Sequence, residues 1–298
     1  MIDTSTLVGG PIKRYGGKGQ IAPRLVPHFA RAKVWCEPFF GAGSVFYALP
    51  AGSYQRHAVN DLDASIVTFF RVLRDRPDEL INACELTPCA RDEFRVAMER
   101  SPDDLEEARR VWIRSRQGFG GSSVYLTNWK RDVGDAHAWA PSQIESKLTA
   151  LRSYAAALRG VAVDNIDACE FVERWGRETA FIYADPPYVH ETRSFIKARK
   201  DYEHEMSETD HRRLAAALHI ARDSGARCAI SGYPSALYDE LFAGWRRIEV
   251  DVPLRGSRHA DGERRTECLW MSYPEAESFA GIEAAKRTAR QPSLGGIL

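Results

Sequence analysis

The chain has 298 residues, 44% of them hydrophobic, and its 41 Lys and Arg balance 41 Asp and Glu to a net charge of zero. That is enough for one large domain or a domain with an insertion, and no run approaches the roughly 20 apolar residues that span a bilayer. The opening MIDTSTLVGG lacks the basic start and apolar core of a signal peptide, so the expected location is cytoplasmic, and six scattered cysteines without CxxC or zinc-type spacing argue for free thiols and against a metal.

The first predicted strand, 33–37 (KVWCE), runs into EPFFGAGS, Glu37 to Ser44. Gly41 and Gly43 there allow a tight turn and a close backbone approach to a ligand, as in nucleotide-type loops, although a purely structural turn reads the same way. The second strand, 57–61 (HAVND), ends at Asp61. An acid at that place can meet ribose hydroxyls, about 20 residues after a glycine loop. It can equally cap the helix predicted over 63–74.

From 76 to 140 the pattern turns helical and polar and then becomes QGFGGSSVYLTNWKRD, with no strand of the main sheet. Charge is segregated here: five acids and one base between Glu99 and Glu107, then six bases and no acid between Arg109 and Arg131, interleaved with Trp112, Phe119, Tyr125 and Trp129. This fits a solvated helix face, and it also fits a nucleic-acid surface in an inserted subdomain.

Beyond it come a helix over 142–159, a strand over 161–165, a helix over 168–175 and the strand 179–185 (TAFIYAD). Then follow a helix over 207–224 with a capping-box start at Ser207, a strand over 226–231, a helix over 235–242 and strands over 246–252 and 267–272. Alternating strands and helices predict a parallel α/β sheet with crossover helices. Residues 275–298 read as a short helix and a tail.

The fourth apolar strand of the reading runs into DPPY, Asp185 to Tyr188. This string suits methyl transfer to an exocyclic amine on a planar base, whose nitrogen lone pair is delocalised into the ring. Acceptors on both N–H bonds localise that pair: the Asp185 carboxylate takes one, and the carbonyl of Pro186, stiffened by Pro187, takes the other. Tyr188 can stack on the base. An Asp-initiated turn is the structural alternative, but it needs neither the aromatic ring nor the buried strand.

Taken in order, KRYGGK (13–18), EPFFGAGSVF, NDLD, NIDACEFV, DPPY, ISGYPSALYDELFAGW and RRTECLW resemble the motifs of the Dam-like (D12 class) DNA adenine-N6 methyltransferases across roughly residues 11–273. The resemblance implies a Rossmann-like methyltransferase sheet with an inserted helical target-recognition subdomain: catalytic parts 1–75 and 141–274, insertion 76–140, tail 275–298. It implies S-adenosylmethionine held by Lys18, Glu37, Phe39, Gly41, Gly43, Asp61, Asp167 and Asp185, with Asp61 on the ribose and Asp167 at the adenine edge. Many relatives carry Trp where this chain has Arg14; either the adjacent Tyr15 supplies that aromatic contact or the contact is missing.

Asp185, Pro186, Pro187 and Tyr188 would act on an adenine flipped out of double-stranded DNA. Arg114, Arg116, Asn128 and Lys130 in the insertion, and Arg193 and Lys197 after the tetrapeptide, are the expected DNA contacts, with Arg114, Arg116 and Asn128 read as major-groove readers by side-chain type. No metal is needed. A monomer or weak dimer at the nucleoid of a bacterial or phage-infected cell, of restriction-modification or phage type, is the expected setting. The alternatives are another amine, namely cytosine N4, an RNA base or a protein amide. An oxidoreductase would leave Asp185 to Tyr188 unexplained, and a decayed DNA-binding protein would not keep all four positions filled by functional residue types.

Overall fold

The computed structural model describes residues 7, 9–14, 16–118, 141–189, 205–253 and 264–290. Helix α1 (Ala22–Leu25) leads to strand β1 (Val34–Glu37), and β2 (Arg56–Asn60) is followed by α2 (Ala64–Asp75). The segment 76–140 contributes α3 (Pro77–Glu85), α4 (Arg91–Ala97) and α5 (Asp104–Gln117) among its described residues. Next come α6 (Pro141–Ala157), β3 (Ala162–Asp164), α7 (Ala168–Trp175), β4 (Ala180–Ala184) and α8 (Glu208–Asp223). The chain then forms β5 (Arg227–Gly232), α9 (Ala236–Leu241), β6 (Arg246–Pro253), β7 (Arg264–Met271) and α10 (Phe279–Arg290).

The seven strands form one sheet in the order β3-β2-β1-β4-β5-β7-β6. From β3 to β5 every pairing is parallel, with Val34 opposite Arg56 on one side and Ala180 on the other. The parallel α/β sheet expected from the sequence is present, and the parallel pattern ends at β7, which pairs antiparallel with both β5 and β6. The reason is length: a parallel return needs a crossover of a dozen or more residues, and β6 and β7 are separated by 254–263 alone. Strand order reverses between β1 and β4, and that switch point is where an open α/β sheet forms its ligand crevice.

Side-chain alternation sorts the core into two layers. Trp35, Val59, Phe181, Tyr183 and Leu269 face a cluster shared with Phe69 and Phe70 of α2, Leu80 of α3, Val111 and Trp112 of α5 and Leu151 of α6. Cys36, Ile182, Ile230 and Trp270 face the other way, onto Phe171 of α7, Leu214 and Leu218 of α8 and Tyr238 of α9. The central strands β1, β4 and β5 are thus buried on both faces and read as continuous apolar runs, whereas the edge strands β3 and β6 are partly exposed. Helices α3 and α5 extend the first layer, and Phe94, Ala97 and Ile113 form a small cluster of their own.

Side chains fix the helix starts. Asp63, Asp103 and Asp167 cap α2, α5 and α7, and Ser207 with Asp210 forms the expected capping box of α8. At the other end of the chain, the Phe279 amide bonds the Phe29 carbonyl at 2.9 Å and its ring meets Tyr54, so α10 docks on the N-terminal turn.

Candidate active site

The loop after β1 is built by two glycines at positive φ, Gly41 (+53°) and Gly43 (+69°). A Cβ on Gly43 would lie 2.9 Å from both the Phe40 and Tyr47 rings, whereas Gly41 opens on free space. Asp61 ties this loop to the end of β2: Oδ2 accepts from the Gly41 amide at 2.7 Å and Oδ1 from the Asp63 amide at 3.0 Å. Asn60 does the same for the neighbouring strand ends, donating to the carbonyls of Pro38 and Ile166 and accepting from the Ile166 amide, each at 3.0 Å. Gly10 lies under the loop so closely that a Cβ there would sit 1.7 Å from the Ala42 carbonyl oxygen.

A cavity of about 520 Å³ opens at the switch point. It gathers Lys18, Glu37, Phe39, Gly41, Asp61, Asp167 and Asp185 from five separate stretches of chain, together with Pro187. Gly43 shapes the loop from behind, and Pro186 and Tyr188 do not line the cavity. Asp63 is buried and accepts from Arg14 Nη1 at 2.9 Å, so Arg14 ties the N-terminal segment to the start of α2. Asp167 is exposed at the rim, its Oδ1 taking the Cys169 amide at 2.9 Å and lying 3.4 Å from Arg213.

The lining is rich in carboxylates. Burial pushes the Glu37 carboxyl well above its ordinary range, opposed by the bond from Trp35 Nε1 at 3.1 Å and reinforced by Asp185 and Asp61. Asp61 is also pushed up by burial, with the Arg14 charge and the two amide bonds pulling it back. A cation in the cavity would relieve these groups. The donor set therefore suits a ligand that joins a ribose to a positive centre, with the exposed Leu62 and the Phe39 ring as apolar walls.

The tetrapeptide hangs from β4, whose five residues are all buried. Asp185 Oδ1 is held by Lys18 Nζ at 2.7 Å and by the Ser231 hydroxyl at 2.9 Å; Ser231 in turn shares a 3.0 Å hydrogen bond with Tyr183. Tyr188 is buried, its ring edge-on to Tyr233 with centroids 4.5 Å apart. Its hydroxyl bonds both Lys18 and Glu267 of β7. Burial raises the Tyr188 hydroxyl well above its usual range, with Asp185 and Glu267 adding to the effect, so it stays protonated.

Sequence reading missed Asn60, Ser231 and Glu267. Glu267 had a signal, an acid opening the apolar run ECLWM. Arg114 and Arg116, read from the sequence as groove readers, are both engaged within the protein. Arg114 is buried, bonded to Glu107 at 2.7 Å and to the Ala97 carbonyl at 2.6 Å. Arg116 lies 4.5 Å from the Trp112 ring centroid and donates to the Pro11 carbonyl; burial brings it down to about 10, which leaves it cationic. Tyr15, Asn128, Lys130, Arg193 and Lys197 lie outside the described residues. Among the described residues no three His, Cys, Asp or Glu are grouped to hold a metal ion, and no helix is long and apolar enough to cross a membrane.

Comparison with known proteins adds independent findings. Residues 15–252 match the family model of the D12 class N6 adenine-specific DNA methyltransferases. The chain is 24% identical over 276 residues to the Type II methyltransferase M1.LlaDCHI of Lactococcus lactis subsp. cremoris, covering 87% of this chain and 93% of that one. It is 26% identical over 188 residues to the DNA adenine methylase of Escherichia coli K12, 60% of this chain and 64% of the other. It is 25% identical over 239 residues to the DNA N-6-adenine-methyltransferase of Escherichia phage P1, 76% of this chain and 30% of that longer protein.

Proposed function

The chain belongs to the D12 class N6 adenine-specific DNA methyltransferases, and from that premise we propose that it methylates adenine flipped from double-stranded DNA with Asp185 as the acceptor of the target amine. The activity is transfer of a methyl group to the N6 amine of DNA adenine, with S-adenosylmethionine as donor. The observation that carries the assignment of Asp185 is its place: a carboxylate at the mouth of the switch-point cavity, with one oxygen fixed by Lys18 and Ser231.

Lys18, Glu37, Phe39, Gly41, Asp61 and Asp167 hold the cofactor in this reading, with Gly43 keeping the loop tight. When bound, S-adenosylmethionine supplies an electrophilic methyl group on a sulfonium sulfur. Asp61 would receive the ribose hydroxyls on the lone pairs its two amide bonds leave, and Asp167 would hold the adenine edge. Asp185 and the Pro186 carbonyl accept the two N–H bonds of the target amine and draw its lone pair out of the ring, while Pro187 keeps that carbonyl stiff and Tyr188 supports the base. Positioning then accounts for most of the rate, and the transfer needs no metal.

Extruding the base costs a few kcal/mol, which contacts to the DNA backbone must offset. Asn128, Lys130, Arg193 and Lys197 remain the proposed DNA contacts, with 76–140 as the target-recognition part, and the protein works as a monomer or weak dimer. The test is expression in a methylation-free host followed by single-molecule mapping of modified bases. N6-methyladenine within one short sequence is expected; N4-methylcytosine, or methylation confined to RNA, would refute the reading.

A further inference from the structure

Glu267 is 3% exposed, and the chemistry above gives it no task. A buried carboxylate costs several kcal/mol unless it is well paired, so its place in a strand that continues as Cys268, Leu269, Trp270 and Met271 needs a reason. Its Oε1 accepts the Tyr188 hydroxyl proton and lies 3.5 Å from Lys18 Nζ. Lys18 also donates to the Tyr188 oxygen and forms the 2.7 Å ion pair with Asp185 Oδ1. Glu267, Tyr188 and Lys18 thus close a triangle whose bond toward the cavity goes to Asp185.

Ser231, fully buried on the adjacent strand, gives the same Oδ1 its second bond. Two donors converging on one oxygen fix the plane of the carboxylate. Among the described residues Oδ2 has no hydrogen bond, so it is the oxygen left for a target N–H. The same triangle fixes the Tyr188 ring by its hydroxyl, from the end away from the backbone.

We infer that Glu267 is a positioning residue for methyl transfer: by holding Lys18 and the Tyr188 hydroxyl it aims the Asp185 carboxylate and sets the tyrosine ring for the flipped base. The inference rests on the reading of Asp185 as acceptor of the target amine. Glu267 itself does not line the cavity. A group that acts only through others leaves a distinct signature: its loss lowers the rate at saturation, spares cofactor affinity, and is not compounded by loss of the group it acts through.

The experiment compares the full-length parent, E267Q, Y188F, the double variant and D185A in single turnover at saturating cofactor and duplex DNA. Cofactor affinity is measured separately by calorimetry. E267Q keeps the shape and one acceptor oxygen but removes the charge opposite Lys18, and its rate is expected to fall roughly 100-fold with affinity within about threefold of the parent. Y188F keeps the ring and loses the bridge, and is expected to fall roughly tenfold. The double variant should be within about threefold of E267Q.

A parent-like rate for E267Q overturns the inference, as do penalties that multiply in the double variant or a loss that follows cofactor affinity. If E267Q does not fold, Y188F decides alone, since a parent-like rate there leaves the hydroxyl bridge without a role. An active D185A would instead remove the acceptor reading itself, whereas an inactive D185A beside a parent-like E267Q removes Glu267 only.

Discussion

Replacing Arg114 with Met removes the guanidinium and keeps most of the aliphatic stem in its packed position. Two bonds disappear, to Glu107 at 2.7 Å and to the Ala97 carbonyl at 2.6 Å. Glu107 is left buried with the Ser101 amide at 2.7 Å as its remaining hydrogen-bond donor. Breaking one side of a buried pair costs about 3 kcal/mol, most of it the uncompensated charge of the survivor. For a chain of this size that lowers Tm by roughly 5 °C. Adding Glu107→Gln should restore part of the loss, because removing both charges is cheaper than removing one. Thermal unfolding by circular dichroism, paired with DNA binding at several salt concentrations, is the assay. Unchanged Tm together with a salt slope flattened by about one unit would return Arg114 to the DNA surface and refute this reasoning.

Asp61→Ala removes the acceptor for both the Gly41 and Asp63 amides, so cofactor Kd measured by calorimetry should rise at least about tenfold, and an unchanged Kd would disconnect the loop from cofactor binding. Gly10→Ala forces a methyl group against the Ala42 carbonyl and should destabilise the fold by on the order of 2 kcal/mol or more, read from urea midpoints. Bonds from Arg109 and Arg110 hold the Glu106 carboxyl down at about 2 from its ordinary 4.5, so the stability it contributes is present above about pH 4.5 and is lost as pH falls toward 2. Discounted for its partial exposure, that contribution is about 1 kcal/mol, and Glu106→Gln should flatten the acid limb of a stability-against-pH curve; an unaltered limb would contradict it.

The strand pattern was legible because the central strands are buried on both faces, so their apolar runs coincide with the elements. β7's direction was not, because an apolar run carries no sense of direction and only the shortness of 254–263 excludes a parallel return. The motifs at strand ends also marked the cavity: Gly41, Asp61, Asp167 and Asp185 meet there from across the chain. What supports them was hidden, since Glu267 reaches Tyr188 across 79 residues and Ser231 reaches Asp185 across 46, through pairings that exist only once the sheet is assembled.

Arg114 shows a different limit. Residue type suggested a base reader, but the face of α5 decides, and Glu107 seven residues earlier shares that face. The acid-rich start and basic end of 99–131 read as separate patches in sequence and fold into pairs, Glu106 with Arg109 and Arg110 and Glu107 with Arg114.

The most direct measurement is the rate of methyl transfer to duplex DNA by Asp185→Ala, set beside its DNA affinity. Loss of transfer to background with affinity within about threefold of the parent is the expected result, because the carboxylate prepares the amine and does not grip the duplex. Transfer at near the parent rate would show that the target amine is prepared by some other group.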